Sequence, residues 1–285
     1  MNKYKNLITY FGGKYPQLTW LIDKFPKGNY HFVDIMCGSA NVALNVSYPM
    51  ITINDLNDEV INLFQVLREQ PEEFMRVLYF TPFSRAEICK IIEDRGGVND
   101  PVEKARRYFV RSQLGYGANG GQNNHKGFGV EYKLHRTGWT RVQNWNRKLD
   151  KLPEIIDRLR SFQIESRDAF VLFDKLNNSD SIIYFDPPYV LDIRKSKKRY
   201  HHEWENEQHM ELSKKVAAAN CFVAVSGYDS ELYNDLFKGF YKSVGPANRS
   251  NTGKVSRNEC LWTNYNPTTI NGNLEFQFSD NKINQ

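Results

Sequence analysis

The chain has 285 residues, of which 40% are hydrophobic and 25% charged, and its formal net charge at pH 7 is +5. This length allows one large α/β domain with an insertion or two modest domains, and the mild positive charge is compatible with a polyanionic partner without requiring one. The cysteines and histidines show no disulfide or metal-ligand spacing, and no apolar run is long enough for a membrane span, so we expect no metal and no membrane contact.

Strand and helix patterns alternate in the first part of the chain. The apolar run 31–37 predicts a buried strand, and the turn at Gly38 leads into a helix. Residues 50–55 predict a second strand, followed by a helix from Asp58 to Arg68. Alternation of this kind predicts parallel strands joined by right-handed crossovers, which is the α/β class.

The middle of the chain, residues 70–159, differs in character. Helical spacing at 71–80, 84–95 and 101–113 gives way to a loop-rich part that includes the glycine- and amide-rich segment 115–129. We interpret 70–159 as an insertion. It divides an α/β domain into residues 1–69 and 160–266, and a polar tail follows at 267–285.

Strand patterns resume after the insertion. Residues 162–168, 181–185 and 221–226 predict further strands with helices between them, and 241–244 with 260–265 predict a closing antiparallel pair.

The turn Asp186-Pro187-Pro188-Tyr189 follows the strand 181–185 and has the composition of an amine-binding site. Asp186 can supply a carboxylate acceptor, and Pro187 a backbone carbonyl without a competing N–H. Tyr189 offers an aromatic face for a base. Such acceptors would make the exocyclic amine of a nucleic-acid base more nucleophilic, and a duplex base would have to be flipped out to reach them. Asp-Pro pairs also mark ordinary turns, so the motif alone leaves both interpretations open.

Four acids, Asp34, Asp55, Asp168 and Asp186, end four successive predicted strands. Ligands of open α/β sheets bind at the carboxyl ends of the strands, where an acid commonly accepts from ribose hydroxyls. The chain lacks both G-x-G-x-x-G and the P-loop pattern, which serve phosphates. A ligand with ribose and adenine but no phosphate fits better, and S-adenosylmethionine is such a ligand. Lys14 and the Gly12-Gly13 turn are candidates for its carboxylate end.

These residues, with Tyr10-Phe11-Gly12-Gly13-Lys14 and the turn 34–40, resemble the alpha-group amino-methylating DNA methyltransferases of the Dam-like adenine type. The resemblance covers roughly residues 10–265. It implies a Rossmann-like class I S-adenosylmethionine-dependent methyltransferase sheet with an inserted, mostly helical and loop-rich DNA-recognition domain. One departure lies in the family's F-x-G-x-G turn, where Met36 and Ala40 replace the aromatic residue and the last glycine.

The resemblance also implies roles for individual residues. It places catalysis at Asp186, Pro187, Pro188 and Tyr189. The predicted cofactor-binding residues are Tyr10, Gly12, Gly13, Lys14, Asp34, Cys37, Gly38, Ser39, Asp55, Asp168 and Asp186.

Amide and arginine side chains in and beside the insertion are typical of residues that contact base edges or phosphates. The candidate DNA contacts are Arg111, Gln113, Asn119, Gln122, Asn123, Asn124, Lys126, Arg136 and Arg141. Two basic loops add Lys195, Lys197, Lys198, Arg249, Lys254 and Arg257. A solvated polar surface is the alternative interpretation for each group.

The resulting expectation is a site-specific enzyme that methylates the N6 amine of a flipped-out adenine in double-stranded DNA. A cytosine-N4 methyltransferase and an inactive DNA-binding regulator on the same fold remain alternatives. We expect a monomer or weak dimer in the cytoplasm of a bacterial or phage-infected cell, and a partner restriction endonuclease is left open.

Overall fold

The computed structural model describes residues 4, 6–10, 12–94, 98–115, 128–129, 140–189, 204–246 and 258–270. Its centre is a sheet of seven strands in the order β3-β2-β1-β4-β5-β7-β6. The strands are β1 His31–Asp34, β2 Met50–Asn54, β3 Phe162–Glu165, β4 Ser181–Phe185, β5 Phe222–Tyr228, β6 Tyr241–Val244 and β7 Glu259–Thr263. The first five are parallel, and β7 is antiparallel to both β5 and β6. The α/β Rossmann-like class predicted from the sequence is confirmed.

Helices connect the strands and cover the sheet. A 3-10 turn at Tyr15–Gln17 precedes α1 Leu18–Ile22 and α2 Asn41–Asn45. Then come α3 Asp58–Glu69, α4 Pro71–Tyr79, α5 Arg85–Glu93, α6 Pro101–Leu114 and α7 Arg141–Leu159. The last three are α8 Ala169–Leu176, α9 Asn206–Ala217 and α10 Glu231–Leu236. Among the described residues no helix is both long enough and apolar enough to cross a membrane.

The sheet is buried on both faces, because successive side chains of each parallel strand enter opposite cores. Phe32 of β1 belongs to the core that also contains apolar residues of α1 to α7. Its neighbour Val33 belongs to the second core, with residues of α8, α9 and α10. Helices α4 to α7 of the middle segment therefore share one core with the sheet, and its role as a separate recognition domain stays a prediction.

The strand order places a crevice at one edge of the sheet. The chain proceeds outward from β1 through β2 to β3 on one side, and from β4 to β5 on the other. Crossovers that leave adjacent strands in opposite directions open a gap outside their carboxyl ends. In this protein the gap lies where Asp34 ends β1 and Asp186 follows β4.

Three sequence predictions need correction. The strand predicted at 31–37 ends at Asp34, and the one predicted at 162–168 ends at Glu165. Asp168 therefore does not end a strand; it is the N-cap of α8. The loop-rich end predicted for the middle segment is wrong from residue 141 onward, where α7 runs for 19 residues behind a Thr140–Gln143 capping box.

Candidate active site

A cleft of about 910 Å³, partly open to solvent, occupies the crevice at the carboxyl ends of β1, β2 and β4. All the residues predicted to bind the cofactor line it: Tyr10, Gly12, Gly13, Lys14, Asp34, Cys37, Gly38, Ser39, Asp55, Asp168 and Asp186. The fold thus brings them together, and their cofactor roles stay predictions.

The turn after β1 forms one wall of the cleft. Gly38 N donates to Asp55 Oδ2 at 2.8 Å, and Asp55 Oδ1 accepts from Asn57 N at 2.8 Å. Gly38 has φ +48°, and a Cβ there would lie 2.7 Å from a ring carbon of Tyr10. Glycine is therefore required both by the left-handed backbone and by the packing of the aromatic ring.

Ala40 occupies the position where the family turn has its last glycine. It adopts the left-handed conformation, with φ 51° and ψ 26°, just before α2. Among the described residues it is the one non-glycine with positive φ. Alanine tolerates this region at a cost of roughly 1 kcal/mol, so the turn keeps the backbone shape that the replaced glycine would favour.

Asp34 is buried below the cleft. It is 2% exposed, and its Oδ2 accepts from Ala43 N in the first turn of α2 at 3.4 Å. Burial, and then the neighbouring charge of Asp186, raise the pKa of Asp34 to about 8. At neutral pH this carboxyl group is therefore mostly protonated.

Asp168 serves both α8 and the cleft. Its Oδ1 accepts from Phe170 N at 2.9 Å and from Val171 N at 3.1 Å, which caps the helix. No hydrogen bond within the described residues uses its Oδ2. One oxygen of this cleft-lining carboxylate is therefore structural, and the other is available to a ligand.

Asp186 shows the same division between its two oxygens. Its Oδ1 accepts from Lys14 Nζ at 2.6 Å and from Ser226 Oγ at 2.8 Å. Within the described part of the chain, Oδ2 has no such bond. Because the side chain is 21% exposed and lines the cleft, Oδ2 is the oxygen left for a ligand.

Lys14 lies deeper than the sequence suggested, between the 186–189 turn and β7. Its Nζ donates to Tyr189 Oη at 2.7 Å and lies 3.5 Å from Glu259 Oε1. Burial opposes its charge, yet the carboxylates of Asp186 and Glu259 raise the pKa of Lys14 well above its usual value. Its ammonium is thus committed to protein carboxylates, while its predicted contact with a cofactor carboxylate stays untested.

Glu259 belongs to this site and was not identified from the sequence. It is 3% exposed, and it accepts from Tyr189 Oη at 3.1 and 2.9 Å through its two oxygens. Burial and the charge of Asp186 raise its pKa to about 7, although Lys14 acts in the opposite direction. The sequence did offer one signal for this residue, a single acid at the start of a buried apolar strand. Such an acid must have a partner, because acids are buried only when they are paired.

Tyr189 is buried, although the sequence suggested an open stacking face. The side chain is 5% exposed, and its ring lies 4.2 Å from the ring of Tyr228, centroid to centroid, at 33°. Lys14 Nζ lies 5.0 Å from the same ring. Pro187 and Pro188 are buried beside it, and Pro188 lines the cleft.

Three of the candidate DNA contacts lie in the described chain, and each is engaged within the protein. Arg111 pairs with Glu59, and Gln113 Nε2 donates to Leu7 O at 3.3 Å. Arg141 donates to Gly115 O at 3.2 Å. The other candidates lie outside the described residues: Asn119, Gln122, Asn123, Asn124, Lys126, Arg136, Lys195, Lys197, Lys198, Arg249, Lys254 and Arg257. The described residues contain no cluster of three or more His, Cys, Asp or Glu side chains suited to a metal ion.

Comparison with known proteins identifies the family to which the chain belongs. The profile of the D12 class N6 adenine-specific DNA methyltransferases matches residues 10–251. The chain belongs to this family. The resemblance inferred from the motifs is thereby confirmed, and the protein is an adenine-specific DNA methyltransferase.

Relatives of this methyltransferase carry related names. A DNA adenine methylase of Salmonella typhimurium is 23% identical over 285 residues, which cover 94% of this chain and 97% of the relative. A DNA adenine methylase of Escherichia coli K12 is 23% identical, over 95% of this chain and 98% of the relative. The modification methylase StsI of Streptococcus sanguinis is 28% identical over 73% of this chain, and the match spans 32% of StsI.

Proposed function

We propose that this enzyme uses S-adenosylmethionine to methylate the N6 amine of an adenine that is flipped out of duplex DNA into the Asp186 turn. The observation that carries the proposal is the position of Asp186. It lines the cleft and begins the 186–189 turn, and among the described residues only its Oδ1 accepts from protein donors. A methyl donor in the cleft and an amine at Oδ2 would therefore be neighbours.

The charge of the cleft fits this donor better than a phosphorylated one. Its lining includes the carboxylates of Asp55, Asp168 and Asp186, whereas Asp34 is mostly protonated at neutral pH. Among the described lining residues the two cations, Lys14 and Arg167, are already paired with carboxylates. This acidic surface would repel phosphates, whereas it would attract a cationic sulfonium and an ammonium group. Asn41 Oδ1 at the wall is also a buried acceptor without a hydrogen-bond partner among the described residues.

Two acidic side chains are suited to hold the ribose and adenine parts of the donor. Asp55 follows β2 and lies in hydrogen-bonded contact with the Gly38 turn, which positions its carboxylate at the cleft wall. Asp168 lines the same cleft beside Arg167 and Ala169, and its Oδ2 is available to a ligand. S-adenosylmethionine, when bound, supplies a methyl group on a cationic sulfur that a nitrogen lone pair can attack directly.

The protein's task is then to prepare the amine. Asp186 Oδ2 and the carbonyl of Pro187 accept its two N–H bonds, which draws the nitrogen lone pair out of conjugation with the base ring. Pro187 and Pro188 have no backbone N–H, so neither of them can donate to the carboxylate in place of the amine. As the nitrogen–carbon bond forms and the sulfur–carbon bond breaks, the methylated amine becomes cationic, and Asp186 is placed to take the proton that it must lose. No covalent bond to the enzyme is needed.

Label transfer tests this proposal. We expect the enzyme to move labelled methyl groups from S-adenosylmethionine to unmethylated duplex DNA, and more slowly or not at all to single-stranded RNA. Asp174→Asn is the control variant. It removes only the surface ion pair with Lys215, so it should transfer label at the wild-type rate. Absence of label in every nucleic acid would refute the proposal, and preferential labelling of RNA would refute its substrate.

A further inference from the structure

Glu259 is a buried acid in the active site to which the proposed reaction assigns no task. It lies in β7, on the far side of Lys14 and Tyr189 from Asp186. Burying a carboxylate costs free energy that is recovered only through good partners. Glu259 has two such partners, and both of them touch the catalytic turn.

The contacts form a continuous path from Glu259 to Asp186. Glu259 accepts from Tyr189 Oη and attracts Lys14 Nζ, and Lys14 in turn donates to Tyr189 Oη and to Asp186 Oδ1. On the other side of Asp186, Ser226 Oγ donates to the same Oδ1, and Tyr184 Oη lies 2.9 Å from Ser226 Oγ. Two independent donors thus hold one oxygen of the carboxylate.

This arrangement decides which way the carboxylate points. With Oδ1 held by Lys14 and Ser226, the carboxylate cannot rotate without losing a charged hydrogen bond. Oδ2 is then the oxygen left for the amine. Lys14 can hold Oδ1 in this geometry only while its own ammonium is kept in place, and Glu259 is the second carboxylate that does so.

We propose that Glu259 is a positioning residue for methyl transfer, which in its ionised form holds Lys14 and Tyr189 so that Asp186 presents Oδ2 to the target amine. The inference rests on the proposed function, because it assigns Glu259 to the same reaction. Among the described residues, the charged and titratable groups that interact with Glu259 are Lys14, Asp186, Tyr189 and Cys260. Its pKa of about 7 means that it loses its charge as the pH falls through the neutral range.

The test compares the wild type with Glu259→Gln by single-turnover methyl transfer at saturating S-adenosylmethionine and DNA. Glutamine keeps an acceptor for Tyr189 but imitates the protonated acid. At pH 8.5 we expect the variant to be slower by about 10-fold or more, since small misplacement of a reacting group has effects of this order. At pH 5.5, where wild-type Glu259 is itself protonated, we expect the two rates to converge.

The pH dependence of this ratio separates positioning from stability. Other titrations in the site, including that of Asp34, affect both proteins and cancel in the ratio. Ser226→Ala is the matched control, because it removes the other donor to Oδ1 without touching Glu259. Its rate relative to the wild type should be lowered at pH 8.5 and should not recover at pH 5.5, where Glu259 no longer holds Lys14. A ratio for Glu259→Gln that likewise fails to recover at pH 5.5, or equal rates at pH 8.5, would overturn the inference.

Two further measurements keep the outcome decisive. Thermal melting and S-adenosylmethionine binding show whether Glu259→Gln folds with an intact cleft. If it does not fold, the wild type alone suffices, since a single-turnover rate that stays flat from pH 5.5 to 8.5 would contradict the inference. Failure of the wild type to methylate DNA would instead refute the proposed function.

Discussion

Asp34 shows how burial changes the chemistry of a single residue. Its carboxyl group lies below the cleft, out of water, and it keeps the first turn of α2 in place by accepting from Ala43 N. A protonated carboxyl group can still accept through its carbonyl oxygen, so the contact does not need the charge. The elevated pKa, about 8, therefore leaves the structural contact of Asp34 with α2 intact.

This pKa predicts how stability depends on pH. In the unfolded chain Asp34 ionises near its ordinary pKa, close to 4, whereas in the folded protein it keeps its proton to about pH 8. The folded state therefore binds more protons between these values, and its free energy of unfolding must fall as the pH rises across that range. Above pH 8 the contribution of this group levels off.

Asp34→Asn should remove this contribution. We expect denaturant-derived free energies of unfolding to fall less steeply between pH 5 and pH 8 in the variant than in the wild type, because asparagine keeps the acceptor and cannot ionise. Part of the slope should remain, since Glu259 titrates in the same direction with a pKa of about 7. Asp174→Asn, at the surface, is the control that keeps the full slope. Parallel curves for Asp34→Asn and the wild type would contradict the account of Asp34.

At the scale of elements, the sequence predicts strands well because alternating and continuous apolar runs report burial. It predicts their ends less well for the same reason. Ile35 continues the apolar run of β1 and is fully buried, but it belongs to the turn that closes the cleft. Because the chain stays buried after the strand ends at Asp34, the apolar run extended the predicted strand beyond its true end.

Two other elements show what the pattern missed. Helix α7 is polar and contains Pro153, so its composition suggested loop, although the Thr140–Gln143 capping box was a readable start signal. In β7 the single acid Glu259 stood at the beginning of a buried apolar run. Its partners, Lys14 and Tyr189, could not be named from the sequence, since only the fold brings them to it.

Helix α8 provides a prediction that separates a helix cap from a ligand contact. Asp168 caps α8 and lines the cleft, whereas Asp100 caps α6 in the same way and does not line it. Replacing either acid by alanine should lower the free energy of unfolding by about 1 kcal/mol, the usual effect of losing an N-cap. Only Asp168→Ala should also weaken S-adenosylmethionine binding, measured by calorimetry.

Asparagine at position 168 sharpens this comparison. It retains an oxygen for capping but loses the charge, so Asp168→Asn should keep nearly wild-type stability and still bind the cofactor more weakly. Equal cofactor affinities for the wild type and both Asp168 variants would show that this residue serves the helix alone.

At the scale of the whole molecule, the active site depends on bringing distant parts of the chain together. Lys14 meets Asp186 across 172 positions, and Tyr189 meets Glu259 across 70. The strand order performs this task, because β1 and β4 are neighbours at the centre of the sheet and β7 inserts beside β5. The methyltransferase motifs could be recognised separately in the sequence, but their mutual geometry is a property of the fold. The same holds for the different contacts of the two carboxylate oxygens of Asp186.

The most direct test of the central claim is the identity of the methylated nucleoside. Unmethylated duplex DNA is incubated with S-adenosylmethionine and either the wild type or Asp186→Ala, and the digested DNA is analysed by mass spectrometry. We predict N6-methyladenine from the wild type and none from the variant, which should still bind the cofactor because the other cleft residues remain. N4-methylcytosine as the wild-type product, or undiminished N6-methyladenine from Asp186→Ala, would contradict the account.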